Sequence, residues 1–324
     1  MGSIVFCATI KITMNKKSLK YCFGPVQSRR LGVSLGVDLV PHKTCTLNCV
    51  YCECGKTTVL TDDIKEYVPT EKVIQELDTL LKSNPALDII TFSGSGEPTL
   101  HSGIGTIIDH IKSNYRYTIA VLTNGTLLWK REVRERLYHA DIVIPSLDAA
   151  TEHAFKKICR PHKHLSLQKI IDGIALFRKE FTGLLILEIF IVPGINDLPS
   201  ELEALAKVAR SIHPHRMQLN YLDRPGTEEW VQRASMETLK QYASVFAPLP
   251  VDIPGTPEYR LLELKLPLKE MILSTIERRP SIVDDLAYSL GKDKLVVQQI
   301  LDDMVKQGVV EYFDEARGRF YKKI

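Results

Sequence analysis

The chain contains no apolar run near the roughly 18 residues that a membrane span requires, so no transmembrane helix is expected. It carries little excess charge. Its 42 Lys+Arg and 39 Asp+Glu leave +3, too little for a global pull toward nucleic acid or an anionic membrane. No sequence repeat runs through it. Its seven cysteines are an odd number, and Cys7, Cys22, Cys54 and Cys159 are scattered without a shared short spacing. That argues against a secreted disulfide framework and fits a reducing, cytoplasmic location. The apolar stretch Ile4–Ile10 is short, follows no basic residue and precedes no clear cleavage site, so it makes a poor signal peptide.

What is present is ordinary for a globular protein. At 324 residues, 44% hydrophobic and 25% charged, the chain is long enough for one large domain and one small one. The expected division is a tail over 1–20, a large domain over 21–250, a linker over 251–264 and a small domain over 265–324.

The chemistry concentrates in Cys45-Thr46-Leu47-Asn48-Cys49-Val50-Tyr51-Cys52. Three cysteines stand at the spacing C-x3-C-x2-C. Iron–sulfur clusters are held by cysteine thiolates, four for a fully ligated cubane. Three ligands leave one iron open to a substrate or cofactor atom, the logic of a catalytic metal site. The competing reading is a structural zinc completed by His42, Cys54 or His101, but zinc sites usually come as two separated pairs and no second pair exists.

Hydrophobic patterning alternates strand and helix. Strands are expected at Val33–Val40, Asp88–Ser93, Tyr117–Leu122, Ile142–Pro145, Leu184–Val192 and Arg216–Tyr221. Between them lie helices near Thr70–Ser83, Ile104–Ser113, Lys130–Tyr138, Leu167–Lys179 and Ser200–Ile212. Thr70 is the expected N-cap of the first. Such alternation predicts parallel strands with right-handed crossovers. Asp223–Tyr259 is rich in Pro and Gly, with one helix near Met236–Phe246. Beyond it, helices at Leu268–Arg278, Ile282–Leu290 (capped by Ser281) and Asp293–Gln307 precede a hairpin about Gly318. Three helices and a hairpin resemble a winged-helix module.

The cysteine spacing, with Tyr51 before the last cysteine, resembles the radical S-adenosylmethionine (SAM) superfamily. Further segments follow in order. Phe92-Ser93-Gly94-Ser95-Gly96-Glu97-Pro98-Thr99-Leu100 resembles the superfamily's glycine-glycine-glutamate segment. Thr123-Asn124-Gly125 and Ser146-Leu147-Asp148 end two strands, where a barrel places its chemistry. Phe155–Pro161 resembles a segment whose arginine, here Arg160, pairs with the SAM carboxylate. Ile191–Asp197 resembles a loop beside the adenine, with Val192 against the ring. The resemblance spans about residues 20–222. It implies an α/β fold, a partial (β/α)6 TIM-like barrel with a small C-terminal winged-helix domain. It further implies a [4Fe-4S] cluster on Cys45, Cys49 and Cys52, and SAM contacted by Tyr51, Gly94, Gly96, Glu97, Asn124, Ser146, Asp148, Arg160 and Val192. Reductive cleavage of SAM would give a 5′-deoxyadenosyl radical, with electrons from a donor such as flavodoxin or ferredoxin.

Gly24–Gly32 and Phe92–Leu100 also resemble iron–sulfur oxidoreductases related to the tricyclic-base-forming enzymes of tRNA wybutosine synthesis. RNA is therefore one candidate substrate and a protein is another. The pair Arg29-Arg30 reads either as an anion site or as solvated charge. No residue is singled out as a catalytic acid or base. His101, His162, His164, His213 and His215 stand at no metal spacing and are read as structural or solvated. The rival class is a zinc-containing winged-helix nucleic-acid-binding protein without catalysis. Residues 265–324 carry 11 Lys+Arg and 10 Asp+Glu, and Asp302 and Asp303 lie on the would-be recognition helix. Phosphate binding needs a basic face, so protein contact or dimerisation is expected of this module rather than DNA binding.

Overall fold

The computed structural model describes residues 19–28, 30–255, 267–315 and 317–324. The apolar stretch at Ile4–Ile10, Cys7, Arg29 and most of the expected linker lie outside them.

An antiparallel hairpin, β1 (Cys22–Ser28) and β2 (Gly32–Val37), starts the described fold. Two short parallel strands, β3 (Thr44–Cys45) and β4 (Val59–Leu60), bracket the cysteine loop. Then come α1 (Thr70–Leu81), β5 (Ile89–Phe92), α2 (Ile104–Asn114), β6 (Thr118–Thr123), α3 (Arg131–Glu135) and β7 (Ile142–Pro145). The chain continues through α4 (Glu152–Cys159), α5 (Leu167–Glu180), β8 (Leu184–Phe190), α6 (Pro199–Ile212), β9 (Arg216–Asn220), α7 (Met236–Val245) and β10 (Val251–Asp252).

One eight-stranded sheet runs in the order β1-β2-β5-β6-β7-β8-β9-β10. From β2 to β10 every neighbouring pair is parallel. Six of these strands, β2 and β5 to β9, are the six that the alternation predicts. Their interior residues are apolar because both faces are covered: all four residues of β5 are buried. The helices turn an apolar stripe inward; α1 does so with Val73, Leu77 and Leu81. The fold is the α/β, partial TIM-like barrel expected, and its cluster loop follows β2.

Helix ends differ in detail. Thr70 lies inside α1, Pro69 stands at the cap, and the Thr70 N–H is bonded instead by the Glu66 carboxylate at 2.8 Å. Ser281 does not cap a helix. It is buried in β11 (Ser281–Ile282), where it pairs with Tyr321.

Around β11 the C-terminal unit is built from α8 (Leu268–Arg278), α9 (Val283–Leu290), α10 (Lys294–Lys306), β12 (Val310–Glu315) and β13 (Gly318–Lys323). Its sheet has the order β11-β13-β12. Asp293 caps α10, accepting from the Leu295 N–H at 2.8 Å. The core of this unit, from Met271 to Tyr321, also takes in Val26 of β1. The other core cluster runs from Tyr21 to Phe246. No helix among the described residues is long and apolar enough to cross a membrane.

Candidate active site

The cysteine loop lies past the end of β2 and is held by backbone bonds from the end of α4. The Asn48 N–H donates to the Cys159 carbonyl at 2.9 Å, and the Val50 N–H to the Ile158 carbonyl at 2.9 Å. Leu47 forms a bridge with Pro161. The resemblance singled out the segment Phe155–Pro161 for Arg160; its backbone also fixes the loop.

The Gly94–Glu97 turn packs against the same loop from the other side. The Lys43 N–H donates to the Ser95 carbonyl at 3.0 Å, and the Glu97 N–H to the Thr44 carbonyl at 3.1 Å. A Cβ on Gly96 would stand 2.1 Å from the Thr44 carbonyl oxygen. On Gly94, with φ +149°, it would stand 2.3 Å from the Asp38 carboxyl carbon. Both positions exclude a side chain because protein backbone and carboxylate approach them. The resemblance places both glycines among the SAM contacts. The structure supplies a reason within the chain itself.

Glu97 is 2% exposed. Its carboxylate accepts from the Thr99 N–H at 3.0 Å, the Thr123 hydroxyl at 2.6 Å and the Asn124 N–H at 2.8 Å. Burial pushes its carboxyl up and these donors oppose that. It thus ties the ends of β5 and β6 together, a positioning role. Asn124, so placed, donates from Nδ2 to the Thr46 hydroxyl at 2.7 Å and lies 3.5 Å from Cys45 Sγ.

Tyr51 stacks on Phe190, ring centroids 3.8 Å apart and planes 7° from parallel. Its hydroxyl donates a short hydrogen bond to Asp148. Burial raises the Asp148 carboxyl to about 7 against the bond from Tyr51. Asp148 also accepts from the Phe190 N–H at 2.8 Å. Tyr51 and Asp148 are therefore engaged with each other, and Asp148 is 4% exposed. The Ser146 hydroxyl is 3.3 Å from Glu188, which also pairs with Arg30 and lies 3.3 Å from Asn220 Nδ2. Arg30 is thus an internal ion-pair partner and not a free anion site.

Two residues expected at SAM have partners within the chain. Val192 has no exposed surface; its N–H is held by the Asn196 side chain at 2.7 Å. It belongs to the core cluster. Arg160, left-handed at φ 44°, directs its guanidinium to Glu228, beyond β9.

Two residues near the thiols escaped the sequence reading. Lys43, 3% exposed, donates from Nζ to Cys52 Sγ at 2.9 Å. Asp38 accepts from the Ser95 N–H at 3.2 Å and its hydroxyl at 2.9 Å. The only sequence signal for Lys43 was its place two residues before Cys45. The Cys52 thiol is pulled down to about 5, chiefly by the Cys54 hydrogen bond and then by Lys43 against burial. Burial pushes Cys45 up to about 12. A coordinated metal overrides such burial by deprotonating the thiol outright.

The family model described as the radical SAM superfamily matches residues 39–209, from just before the cysteine loop to α6. The chain belongs to the radical SAM superfamily. Enzymes of this superfamily use a [4Fe-4S] cluster and SAM, and this chain is one of them. It is 28% identical over 307 residues to the UPF0026 protein MJ1312 of Methanocaldococcus jannaschii, covering 93% of this chain and 95% of that one. It is 36% identical over 301 residues to a GTPase Obg of Brachyspira hyodysenteriae, covering 92% of this chain but spanning only 44% of that protein. Among solved structures, a radical SAM methyltransferase from Sphaerobacter thermophilus aligns with TM-score 0.54 at 16% identity, over 68% of this chain and 65% of that one. TYW1 with a lysine-pyruvate adduct bound aligns with TM-score 0.50 at 17% identity, over 66% and 72%. These two likenesses concern the fold of this radical SAM enzyme.

Proposed function

We propose that Cys45, Cys49 and Cys52 hold the [4Fe-4S] cluster and that the enzyme abstracts hydrogen from an RNA base. The observation that carries the cluster assignment is the meeting of the three thiols with Asn124, Lys43 and the Gly94–Glu97 turn. When bound, the cluster and SAM supply a 5′-deoxyadenosyl radical as the abstracting group. The chain does the rest. Lys43 places positive charge against Cys52. Asn124 and Glu97 fix the ends of β5 and β6 beside Cys45. Tyr51, Phe190 and Asp148 form a rigid wall.

The RNA reading rests on the resemblance of Gly24–Gly32 and Phe92–Leu100 and on a cavity of about 860 Å³ beside Cys54. That size is in the range of small-molecule sites, roughly 300–1,000 Å³. Arg233, Arg279, Arg317 and Lys322 line it; Arg233 and Arg317 pair with Asp223 and Lys322 with Glu311, so a phosphate would have to displace those carboxylates. Glu53, Asp223 and Glu277 face the same space, so shape must contribute more than net charge. A flavodoxin- or ferredoxin-type donor would supply electrons. All described cysteines are free thiols, which supports a reducing cytoplasm. We read the C-terminal unit as a winged helix for protein contact or dimerisation. Leu295 and Val296 are exposed on α10, and Asp302 and Asp303 lie along it.

The test is anaerobic reconstitution with dithionite and SAM. 5′-Deoxyadenosine should form, and RNA from cells lacking the protein should yield an altered nucleoside only in the complete reaction. A change in protein and none in RNA would move the substrate class to protein. Absence of 5′-deoxyadenosine from cluster-loaded protein would defeat the cluster assignment.

Arg160 gives a second check. For its guanidinium to take the SAM carboxylate it must leave Glu228. Arg160→Ala is then expected to weaken SAM by about 1.5–3 kcal/mol, and Glu228→Gln to strengthen it, by equilibrium dialysis. No shift in either variant would place the carboxylate elsewhere.

A further inference from the structure

Beside the cysteine loop, three metal-binding side chains converge. Asp62 follows β4; His162 and His164 follow α4. One ligand atom from each lies within 4.8 Å of the other two. His162 Nδ1 is 3.2 Å from Asp62 Oδ1, and His164 Nδ1 is 3.3 Å from Asp62 Oδ2. We propose that Asp62, His162 and His164 form a binding site for a divalent transition-metal ion, separate from the cluster.

The distances fit a shared ion, and His164 Nδ1 also lies within hydrogen-bond reach of both Asp62 oxygens, at 3.4 and 3.3 Å. Donors about 2.1 Å from one ion, at angles between right and tetrahedral, stand about 3.0–3.4 Å apart. Both nitrogen–oxygen separations fall there. His162 Nδ1 is buried and has no hydrogen-bond partner, although the carboxylate is only 3.2 Å away. Its lone pair and the Asp62 oxygen are neighbours without being aligned as donor and acceptor. A shared cation between them satisfies both. The two rings stand edge to face at 4.7 Å and 88°, which lets both Nδ1 atoms approach one point without stacking.

The donor set is two imidazoles and a carboxylate. Imidazole suits zinc, iron, copper and nickel, and carboxylate alone would suit magnesium or calcium. The mixture selects a first-row transition metal. Three protein ligands leave positions open. Asp62 and His164 also line a cavity of about 480 Å³ with Lys130, Glu132 and Arg136. The buried Nη1 of Arg136 has no hydrogen-bond partner. Water or a small anion bound to the ion can occupy that space.

The site meets the catalytic loop through backbone bonds: the His162 N–H donates to the Thr46 carbonyl at 2.9 Å, and the N–H of Thr61, next to Asp62, to the Cys45 carbonyl at 3.0 Å. An ion joining Asp62 to His162 would brace the residue next to Cys45. Its role is positional, and the radical chemistry does not pass through it.

The experiment titrates zinc into anaerobic, cluster-loaded, full-length protein by calorimetry, followed by X-ray absorption at the zinc edge. Expected are about one zinc per chain and a shell of nitrogen and oxygen near 2.0–2.1 Å. His164→Ala, at an exposed position, and Asp62→Asn should each weaken zinc on the order of 100-fold or more, beyond the 10–100-fold that second-shell changes cost. Retained brown colour would show that these variants fold and keep the cluster. Sulfur near 2.3 Å in the zinc shell, or unchanged affinity in either folded variant, would overturn the site.

Discussion

Replacing any one of Cys45, Cys49 or Cys52 with alanine is expected to reduce 5′-deoxyadenosine formation below detection. Cys54→Ala should retain it. Wild-type protein prepared without oxygen should carry about four irons per chain, and the three inactive variants substantially fewer. The contrast with Cys54 is the informative part. Its thiol points at the Gly94 carbonyl, 3.7 Å away. It is pushed well above the usual thiol range, first by its hydrogen bond to Cys52 and then by burial. The C-x3-C-x2-C spacing closes at Cys52 and leaves Cys54 outside it. Its loss removes one donor to Cys52 while the Lys43 bond at 2.9 Å remains. Iron content and product should therefore fall only modestly in Cys54→Ala. Equal loss in all four variants would mean that Cys54 belongs to the donor set. Stoichiometric zinc without iron in wild-type preparations would defeat the cluster assignment altogether.

What the sequence could disclose was local. Three cysteines within eight residues declare themselves by spacing, and six parallel strands by their short apolar runs. β1 was hidden because Gly24 and Pro25 interrupt its pattern, and the register slips between Phe23 and Val26. β10 has two residues, too few for any periodicity. The partners of the site residues were hidden for another reason: they come from far along the chain. Glu97 is met by Thr123 and Asn124, and Arg160 by Glu228. A motif names the residue but not what neutralises it. Val192 shows the converse, since an apolar residue at a strand end has the same sequence signature as core or as a ligand wall. His162 and His164 lacked a metal spacing because their third companion, Asp62, lies about a hundred residues earlier.

The C-terminal unit poses the sharpest revision. By sequence it looks separable, since every proposed SAM contact precedes residue 222, and its removal should leave SAM cleavage intact. The structure docks it on the active-site side. Arg278 Nε lies 3.4 Å from Asp38 Oδ2, with the side chains only 11% and 9% exposed. The guanidinium also sits 4.5 Å above the Phe23 ring. Asp38 in turn holds Ser95, between the two glycines that press on the cysteine loop. Arg224 reaches Asp285 at 3.2 Å and Glu53 at 3.2 Å, and Arg317 bonds the Asp223 carbonyl. Removing one partner of a buried pair leaves an uncompensated charge, at a cost of about 3–5 kcal/mol. Arg278→Ala is therefore expected to destabilise the full chain by about that much at neutral pH, in a denaturant titration. The pH dependence follows from Asp38. Burial already raises its carboxyl, and Arg278 opposes the rise. A carboxyl raised on folding contributes stability that is lost as pH climbs through its folded value. Without Arg278 that value moves higher still, so the deficit should be greatest at neutral pH and should shrink toward about pH 4, where the carboxyl is protonated. Asp38→Asn in the Arg278→Ala background should recover much of the loss, because no charge is then left buried. SAM cleavage should fall in Arg278→Ala even under conditions where the protein is folded, since Asp38, which holds the Ser95 turn, loses its counter-charge. A deficit that does not change with pH would assign the effect to lost packing on Phe23. Unimpaired SAM cleavage in folded Arg278→Ala would restore the separable module that the sequence suggests.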